Sequence, residues 1–410
     1  MKPRGDMVLL SGGMWDERWT TYQRIAGGMR REFRVLYVEG NYSWGKFVKA
    51  ALGAPFPCTL FGRLRRQDAD FWILTPPPRL PLRHVFAPIG RLNQRILAFV
   101  VRRAMRRLGM HRPILWTFLH QTSDVVGRLG ERCSVYHCVD YWPWLMPRVR
   151  WMGRRRRIEL DEAKTARAVA FTVATSRFLW SRMLRLNPAS AYVPNAADAE
   201  LFGAAATPLP CPRDLVDLPR PILGFSGTLE AKTDIELLCR LAAERPDWTF
   251  AFVGHADNVP QIGRLRRLQN VHFLGLKQRD ELPGYFRAFD ICLVPFHRAA
   301  EIDSISPLKV FEYLAAGRPV VATDVAELQD LGDFVHLVAP GEDFATHIED
   351  ALAGECDALV ARRLAFARTN GWDTRVRQLL ELLDAHESGG DGVVAPPNKS
   401  ATVGVPWATI

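Results

Sequence analysis

Short apolar runs alternate with amphipathic segments through the first half of the chain, and Gly, Pro or Ser bounds most of these runs. The segments between them, such as 19–32 and 91–108, carry apolar residues at helical spacing. Strands that alternate with helices predict a parallel sheet covered on both faces. The predicted strands are MVLLSG, RVLYVEG, FWILTP, ILWTFLH, SVYHCVD, AFTVATS and AYVPN.

The alternation is interrupted by segment 203–220, which is rich in Pro and lacks periodicity, as is typical of a linker between domains. A second series of strands and helices follows, with the strands PILGFSG, TFAFVG, NVHFLG, DICLVPF, PVVATD and VHLV. We therefore expect an α/β protein with two Rossmann-like, doubly wound parallel-sheet domains, residues 1–202 and 221–386, that face a ligand-binding crevice. Residues 387–410 are rich in Gly, Pro and Ser, so we expect a disordered tail there.

Cysteine usage and hydropathy narrow the class of protein. The seven cysteines are scattered and form no C-x-x-C pair, so we expect neither a disulfide framework nor a metal site. The N-terminus leads straight into the first strand, and no apolar stretch approaches the roughly 20 residues that a membrane span needs. We expect a cytoplasmic protein whose membrane contact is peripheral, on the inner face of the plasma membrane.

The formal net charge of +10 makes phosphates, anionic lipids and nucleic acids candidate partners. Segments 91–110 and 141–157 interleave Arg with apolar or Trp residues, a combination that favours an anionic membrane surface. A core helix with a solvated basic face is the alternative interpretation. No pattern of a nucleic-acid-binding module occurs, so we do not expect nucleic acid as a partner.

The most informative segment is 290–324, in which an apolar strand and a polar loop lead into a helix. We expect Ser306 to be the N-cap and Pro307 the first helical residue, which makes Lys309 the third. A cation there opposes the helix dipole, and this conflict disappears if an anion such as a diphosphate docks at the helix start. Glu312 shares the same helix face and could accept hydrogen bonds from ribose hydroxyls. An ordinary Lys–Glu surface pair is the alternative.

The run PLKVFEYLAAGRPVV, residues 307–321, resembles the donor-binding signature of the group-1 family of retaining GT-B glycosyltransferases. The first half, with SGGMWDERW, RVLYVEG and YHCVDYW, is similar to bacterial teichuronic-acid and exopolysaccharide transferases. The resemblance implies a GT-B fold and a hexosyltransferase that uses a UDP- or GDP-sugar, requires no cofactor and acts with retention. It also implies a cell-surface polysaccharide or lipid-linked acceptor, and a last helix, 373–386, that packs back on the first domain.

Candidate donor-binding residues follow from the helix start and from the resemblance. They are Gly227, Thr228, Lys232, Ser304, Ser306, Lys309 and Glu312. A glycine at position 227 allows close approach of the backbone to the donor phosphates. The family has the first Glu of a Glu-x7-Glu pair at position 304, and we interpret Ser304 as a change of donor specificity.

Candidate residues in the first half lie behind predicted strands. Gly12 and Gly13 resemble the glycine loop of the family. His120 and Asp140 are the candidate catalytic residues, because they end strands at the carboxyl edge of the sheet, where ligands bind in such folds. A hydrogen-bonded structural role is the alternative for each. A retaining transfer requires no dedicated base, since the leaving diphosphate can assist the acceptor hydroxyl, and stabilising that diphosphate is then the main electrostatic task.

Three other functions are compatible with these patterns. They are an inverting GT-B transferase, a nucleotide-sugar epimerase and a catalytically silent binding subunit of a polysaccharide-synthesis complex. An epimerase would alter free nucleotide sugar without an acceptor, whereas a silent subunit would bind the donor without transferring its sugar.

Overall fold

Two β-sheets, one in each half of the chain, organise the protein. They are seen in a computed structural model that describes residues 3–17, 19–40, 62–81, 86–145, 154–203, 210–256, 261–299 and 302–388.

The first sheet has eight strands. They are β1 (Asp6–Leu10), β2 (Arg34–Val38), β3 (Arg63–Asp68), β4 (Phe71–Thr75), β5 (Ile114–Thr117), β6 (Cys133–Cys138), β7 (Phe171–Ala174) and β8 (Ser190–Tyr192). Their order is β3-β4-β2-β1-β5-β6-β7-β8. The sheet is parallel, as predicted, apart from β3, which pairs antiparallel with β4 at the edge. The sequence pattern missed β3 because this mostly exposed edge strand reads RLRRQD and has no apolar run.

Helices cover both faces of the first sheet. They are α1 (Thr21–Met29), α2 (Ala87–Leu108), α3 (Trp142–Leu145), α4 (Arg154–Ala168), α5 (Arg177–Leu184) and α6 (Ala199–Gly203). Side chains alternate along β1, so that Met7 and Leu9 join the core under α1 whereas Val8 and Leu10 join the core under α2. A core on each face explains why the strands read as continuous apolar runs.

The second sheet has six strands, all parallel. They are β9 (Ile222–Ser226), β10 (Thr249–Val253), β11 (Val271–Gly275), β12 (Ile291–Val294), β13 (Val320–Thr323) and β14 (Val335–Val338), in the order β11-β10-β9-β12-β13-β14. The helices are α7 (Ile235–Glu244), α8 (Ile262–Leu265), α9 (Leu282–Ala288), α10 (Leu308–Ala315), α11 (Phe344–Ala353), α12 (Asp357–Thr369) and α13 (Trp372–Glu387). Two 3₁₀ turns, Ile302–Ser304 and Ala326–Leu331, flank α10 and β13.

The last helix, α13, lies on the first sheet rather than the second. Leu379, Leu382 and Leu383 are buried in the core that contains Met29 of α1. The two helices approach closely at Gly28, where an added Cβ would lie 2.3 Å from a methyl carbon of Val376. The glycine therefore permits this crossing.

Parts of the predicted organisation lie outside the described residues, namely 204–209 of the linker and 389–410 of the tail. The domain boundaries therefore stay predictions. Within the described ranges, no helix is both long enough and apolar enough to cross a membrane.

Candidate active site

A cavity of about 350 Å³ lies where the carboxyl ends of the two sheets face each other. The first half of the chain contributes the start of α1 and the segment that follows β6. The second half contributes the segment that follows β9, the 3₁₀ turn Ile302–Ser304 and the start of α10. This is the crevice in which the sequence predicts a ligand site.

The segment after β9 is a tight backbone turn at Gly227, whose φ is +127°. The Gly227 N–H donates to the carbonyl of Val253 at 2.8 Å. Gly254 lies directly beneath, since an added Cβ there would be 2.1 Å from the Gly227 carbonyl oxygen. Two glycines in contact thus bring the backbone to the cavity wall without side chains in between.

Lys309 lies opposite this turn. Its Nζ is 3.2 Å from the point that a Cβ on Gly227 would occupy, and 3.6 Å from the ring centroid of Phe225. The contact with the aromatic face partly offsets the unfavourable position of a cation in the first helical turn. The ammonium, the Gly227 backbone and the start of α10 therefore meet at one point of the cavity.

The start of α10 differs from the prediction. The helix begins at Leu308, its N-cap is Pro307, and Lys309 is the second helical residue rather than the third. Ser306 does not cap the helix, because its hydroxyl and carbonyl oxygens accept from the backbone N–H and the side-chain amide of Asn195, at 3.4 and 2.8 Å. Ser306 thus connects the two halves of the chain.

Glu312 is 9% exposed and lies at the cavity one turn beyond Lys309. One of its carboxylate oxygens is 3.6 Å from a guanidinium nitrogen of Arg279. Arg279 also lies 3.5 Å from the carboxylate of Asp198, which pairs with Arg24 of α1 at 2.8 Å. This chain of charges links Glu312 to the first half of the protein and holds its carboxylate at the wall of the cavity.

Ser304 is 2% exposed and lines the same cavity, at the position where the family has a Glu. The neighbouring carboxylate of Asp303 does not replace that Glu, since it accepts the backbone N–H of Ala326 at 3.1 Å. Glu301 lies outside the described residues. A small hydroxyl thus occupies the place of a carboxylate.

Asp140 lines the same cavity from the segment after β6. Its carboxylate accepts from the hydroxyl of Tyr22 at 3.4 Å. Burial raises the pKa of Asp140, and nearby Lys232 lowers it again in part. The Lys232 ammonium also forms an ion pair with the Glu230 carboxylate at 2.7 Å, which partly neutralises its charge.

His120 occupies a different pocket from Asp140. Its Nε2 lies 2.7 Å from the side-chain amide nitrogen of Gln121, and its ring centroid is 5.0 Å from that of Trp142. Gly12 lines this pocket as well, and an added Cβ on Gly12 would lie 2.8 Å from the ring of Tyr22, which lines the cavity. The two candidate catalytic residues are therefore not brought together.

Residues 220–354 match the family model described as glycosyl transferases group 1. These residues form a group 1 glycosyltransferase domain. The chain is also similar to TuaH of Bacillus subtilis (strain 168), a glycosyltransferase provisionally assigned to teichuronic acid biosynthesis. The two are 25% identical over 350 residues, and the matched region covers 76% of this chain and 87% of TuaH. The protein is therefore a glycosyltransferase.

Solved structures show the same fold. Sucrose-phosphate synthase from Thermosynechococcus elongatus superposes with a TM-score of 0.69 at 16% identity, over 94% of this chain and 100% of that one. Anabaena HepE in complex with UDP and glucose gives a TM-score of 0.59 at 17% identity, over 92% and 99%. At these identities the likeness concerns the fold, and the glycosyltransferase has the GT-B fold that its sequence predicts.

Most of the site residues that the sequence predicts for this glycosyltransferase lie at one cavity. They are Asp140, Thr228, Lys232, Gly227, Ser304, Ser306, Lys309 and Glu312. His120 and Gly12 line the adjoining pocket, and Gly13 is held beside it, where its carbonyl accepts from Gly40 N–H at 3.2 Å. Within the described residues, no group of three or more His, Cys, Asp or Glu side chains could hold a metal ion.

Sequence reasoning missed Arg279 and Tyr22, which both line the cavity of the glycosyltransferase. Neither belongs to a motif, because each acts through a partner from another part of the chain: Glu312 for Arg279 and Asp140 for Tyr22. Only the tertiary structure brings these pairs together.

Proposed function

We propose that this glycosyltransferase transfers a sugar from a nucleoside diphosphate donor to a saccharide acceptor with retention of configuration. The observation that carries the proposal is the position of the Lys309 ammonium, 3.2 Å from where a Gly227 side chain would begin. A diphosphate at this point would interact with the ammonium, with backbone N–H groups and with the positive end of the α10 dipole. The same groups would stabilise the diphosphate as it leaves, when its charge is greatest.

Glu312 and Arg279 suit the nucleoside end of the donor. Glu312 lies one helical turn from Lys309, and its carboxylate, 3.6 Å from a guanidinium nitrogen of Arg279, has two oxygens that can each accept hydrogen bonds. A carboxylate in this place would accept from two ribose hydroxyls. HepE, which binds UDP, and TuaH support a nucleotide sugar as the donor and a cell-surface polysaccharide as the product.

The proposal is tested with a panel of UDP-, GDP- and dTDP-sugars and bacterial lipid extracts as acceptors. We expect one donor to be consumed only when an acceptor is present, and NMR of the product to show the anomeric configuration of the donor. Consumption of free donor without acceptor would instead indicate an epimerase or a hydrolase. Binding of donor without any transfer would indicate a silent subunit.

An inverting transferase is the second candidate, because Asp140 offers a half-buried carboxyl with a raised pKa at the cavity. Such a group could serve as a general base, whose loss typically costs about 100- to 10,000-fold in rate. Under retention, Asp140→Asn should lower kcat by less than about 10-fold, since the residue is then not a base. The kcat of the variant and the anomeric configuration of the product decide between the two mechanisms.

We also propose that the enzyme docks on an anionic membrane through α2 and takes a lipid-linked acceptor there. The α2 sequence contains no acidic residue. Its solvent-facing side carries Arg side chains together with Leu92 and Phe99, which are 47 and 61% exposed, and Phe86, directly before the helix, is 53% exposed. The exposed arginines are Arg91, Arg95, Arg102, Arg103, Arg106 and Arg107. Basic and apolar side chains on one helix face suit a phospholipid surface.

The second basic segment, 141–157, contributes less to this surface than its sequence suggests. Trp142 and Trp144 line the pocket and the cavity, and Arg155 and Arg157 pair with acidic residues of their own helix. Residues 146–153, which include Trp151, lie outside the described residues. The membrane surface is therefore assigned to α2.

The triple variant R95Q/R102Q/R106Q should bind phosphatidylglycerol vesicles roughly 100-fold more weakly at low salt, because each basic residue near such a surface contributes about 1 kcal/mol. Vesicle sedimentation measures this affinity. The matched control R240Q/R267Q/R368Q removes three exposed arginines from the second half and should bind like the wild type. Equal losses in both variants would show that net charge, not α2, governs the attraction.

A further inference from the structure

An open groove of about 660 Å³ lies along α2 on the surface of the first half of the chain. Five of its lining residues belong to α2 at positions that differ by three or four, so they share one face of the helix. They are Arg95, Ala98, Phe99, Arg102 and Arg106, and the sixth lining residue is Arg128 of the turn after β5. We call this feature the arginine groove. It shares no lining residue with the donor cavity.

The turn that carries Arg128 is packed against α2. Val125 and Leu129 of this turn are buried in the core that contains Ala98 of the helix. The Arg128 N–H donates to the Val125 carbonyl at 3.0 Å, and the carboxylate of Glu131 accepts from the Leu129 N–H at 3.1 Å. The backbone that carries the fourth guanidinium group therefore has a fixed place beside the helix.

The charge of the arginine groove is not balanced by the protein. Its lining includes four guanidinium groups and no carboxylate. Within the described ranges, none of these four side chains forms an ion pair or a hydrogen bond. Arg155 and Arg157 of α4, in contrast, both pair with acidic residues of their own helix. Four positive charges along one groove repel one another, so an anion bound there would be stabilised.

The chemistry of the groove suits a phosphate group on a lipid. A guanidinium group binds phosphate through two parallel hydrogen bonds, and several such groups together can neutralise a phosphate that carries more than one charge. Phe99 lies between Arg95 and Arg102 along the helix and is exposed, so the groove also offers apolar surface, which a soluble anion does not require. Arginines around an exposed apolar side chain match the depth of a membrane at which phosphates meet acyl chains.

We propose that the arginine groove binds a lipid through a phosphate group that carries two charges, either a terminal phosphate or a diphosphate. The inference rests on the proposed function, because it gives the membrane-docking surface of α2 a specific ligand. It goes beyond general attraction to anionic lipids, since the groove recognises one kind of headgroup whereas the other exposed arginines of α2 contribute charge alone. A saccharide acceptor that is linked to its lipid through such a group would be held at the membrane by this site.

Two kinds of phosphatidylcholine vesicle test the inference, one with phosphatidic acid and one with phosphatidylglycerol, adjusted to the same zeta potential. Phosphatidic acid presents a terminal phosphate, and phosphatidylglycerol presents a phosphodiester with a single charge. In vesicle sedimentation, the wild type should bind the phosphatidic acid vesicles about 10-fold or more tightly, as a charge-assisted hydrogen bond provides. Because the surface charge is the same, general electrostatic attraction would give equal binding.

The variant R102Q/R128Q should lose this preference, because both side chains line the arginine groove. The matched control R103Q/R107Q removes two exposed arginines of α2 that do not line the groove. The control should bind both kinds of vesicle more weakly than the wild type and keep the preference. Both variants should unfold at the same temperature as the wild type, since all four substituted side chains are exposed.

Equal binding of the wild type to both kinds of vesicle would overturn the inference alone. So would a preference that survives in R102Q/R128Q or one that disappears in R103Q/R107Q. Glycerol phosphate that competes as strongly as phosphatidic acid would show that the ligand is a soluble phosphate, and the assignment to a lipid would be wrong. Failure of the wild type to bind either kind of vesicle would overturn the proposed membrane docking as well.

Discussion

Replacing Lys309 with alanine should weaken nucleoside diphosphate binding about 10- to 100-fold, measured by calorimetry with UDP and GDP. The expected loss corresponds to about 1.5–3 kcal/mol, the contribution of a hydrogen bond to a charged group. Lys309 faces the Gly227 turn at the start of α10, so its removal would deprive a diphosphate there of the ammonium nearest to the turn.

The same variant should change thermal stability little. Loss of the contact with Phe225 costs about 0.5–1 kcal/mol, and removal of a cation from the first helical turn regains about 0.3–1 kcal/mol. Lys164→Ala, at an exposed position of α4, is the matched control and should keep full donor affinity. An unchanged affinity in Lys309→Ala would remove this residue from the donor site.

Gly254→Ala should lower the free energy of unfolding by more than about 2 kcal/mol and abolish measurable donor binding. The new Cβ would lie 2.1 Å from the Gly227 carbonyl oxygen, and the φ of +133° at Gly254 disfavours any side chain. The Gly227 turn would have to move away from Lys309. Urea unfolding and calorimetry measure the two effects.

Gly263→Ala provides the control for this prediction. Nothing lies within 4 Å of an added Cβ at Gly263, and this residue is in helix α8. Alanine there should leave donor binding intact and raise stability slightly, by about 0.4–1 kcal/mol. Similar unfolding curves for the two variants would show that the Gly254 contact is not tight in solution.

The parts of the fold that were predicted from sequence are those with a strong local signal. Strands such as β1 and β9 are buried on both faces, so their apolar runs mark them directly. The edge strand β3 has no such requirement and was missed. The start of α10 was placed one residue early, because Ser306 bonds to Asn195 from the other half of the chain instead of capping the helix.

Some residues of the candidate site could likewise be predicted from a local sequence pattern, and others could not. Lys309 and Glu312 were identified because they share one helix, where spacing along the sequence fixes their relative positions. His120 and Asp140 follow neighbouring strands, and the sequence could not reveal that their side chains line different pockets. Arg279 depends on two partners distant in the chain, and no local pattern could indicate it.

A crystal structure of the enzyme with a bound nucleoside diphosphate tests the donor site most directly. We expect the diphosphate between the Gly227 turn and Lys309, with an oxygen within about 3 Å of the ammonium, and the ribose hydroxyls on the Glu312 carboxylate. His120 should not contact the nucleotide. A nucleotide bound elsewhere, with Lys309 still packed on Phe225 and Glu312 still paired with Arg279, would contradict the assignment of the donor site.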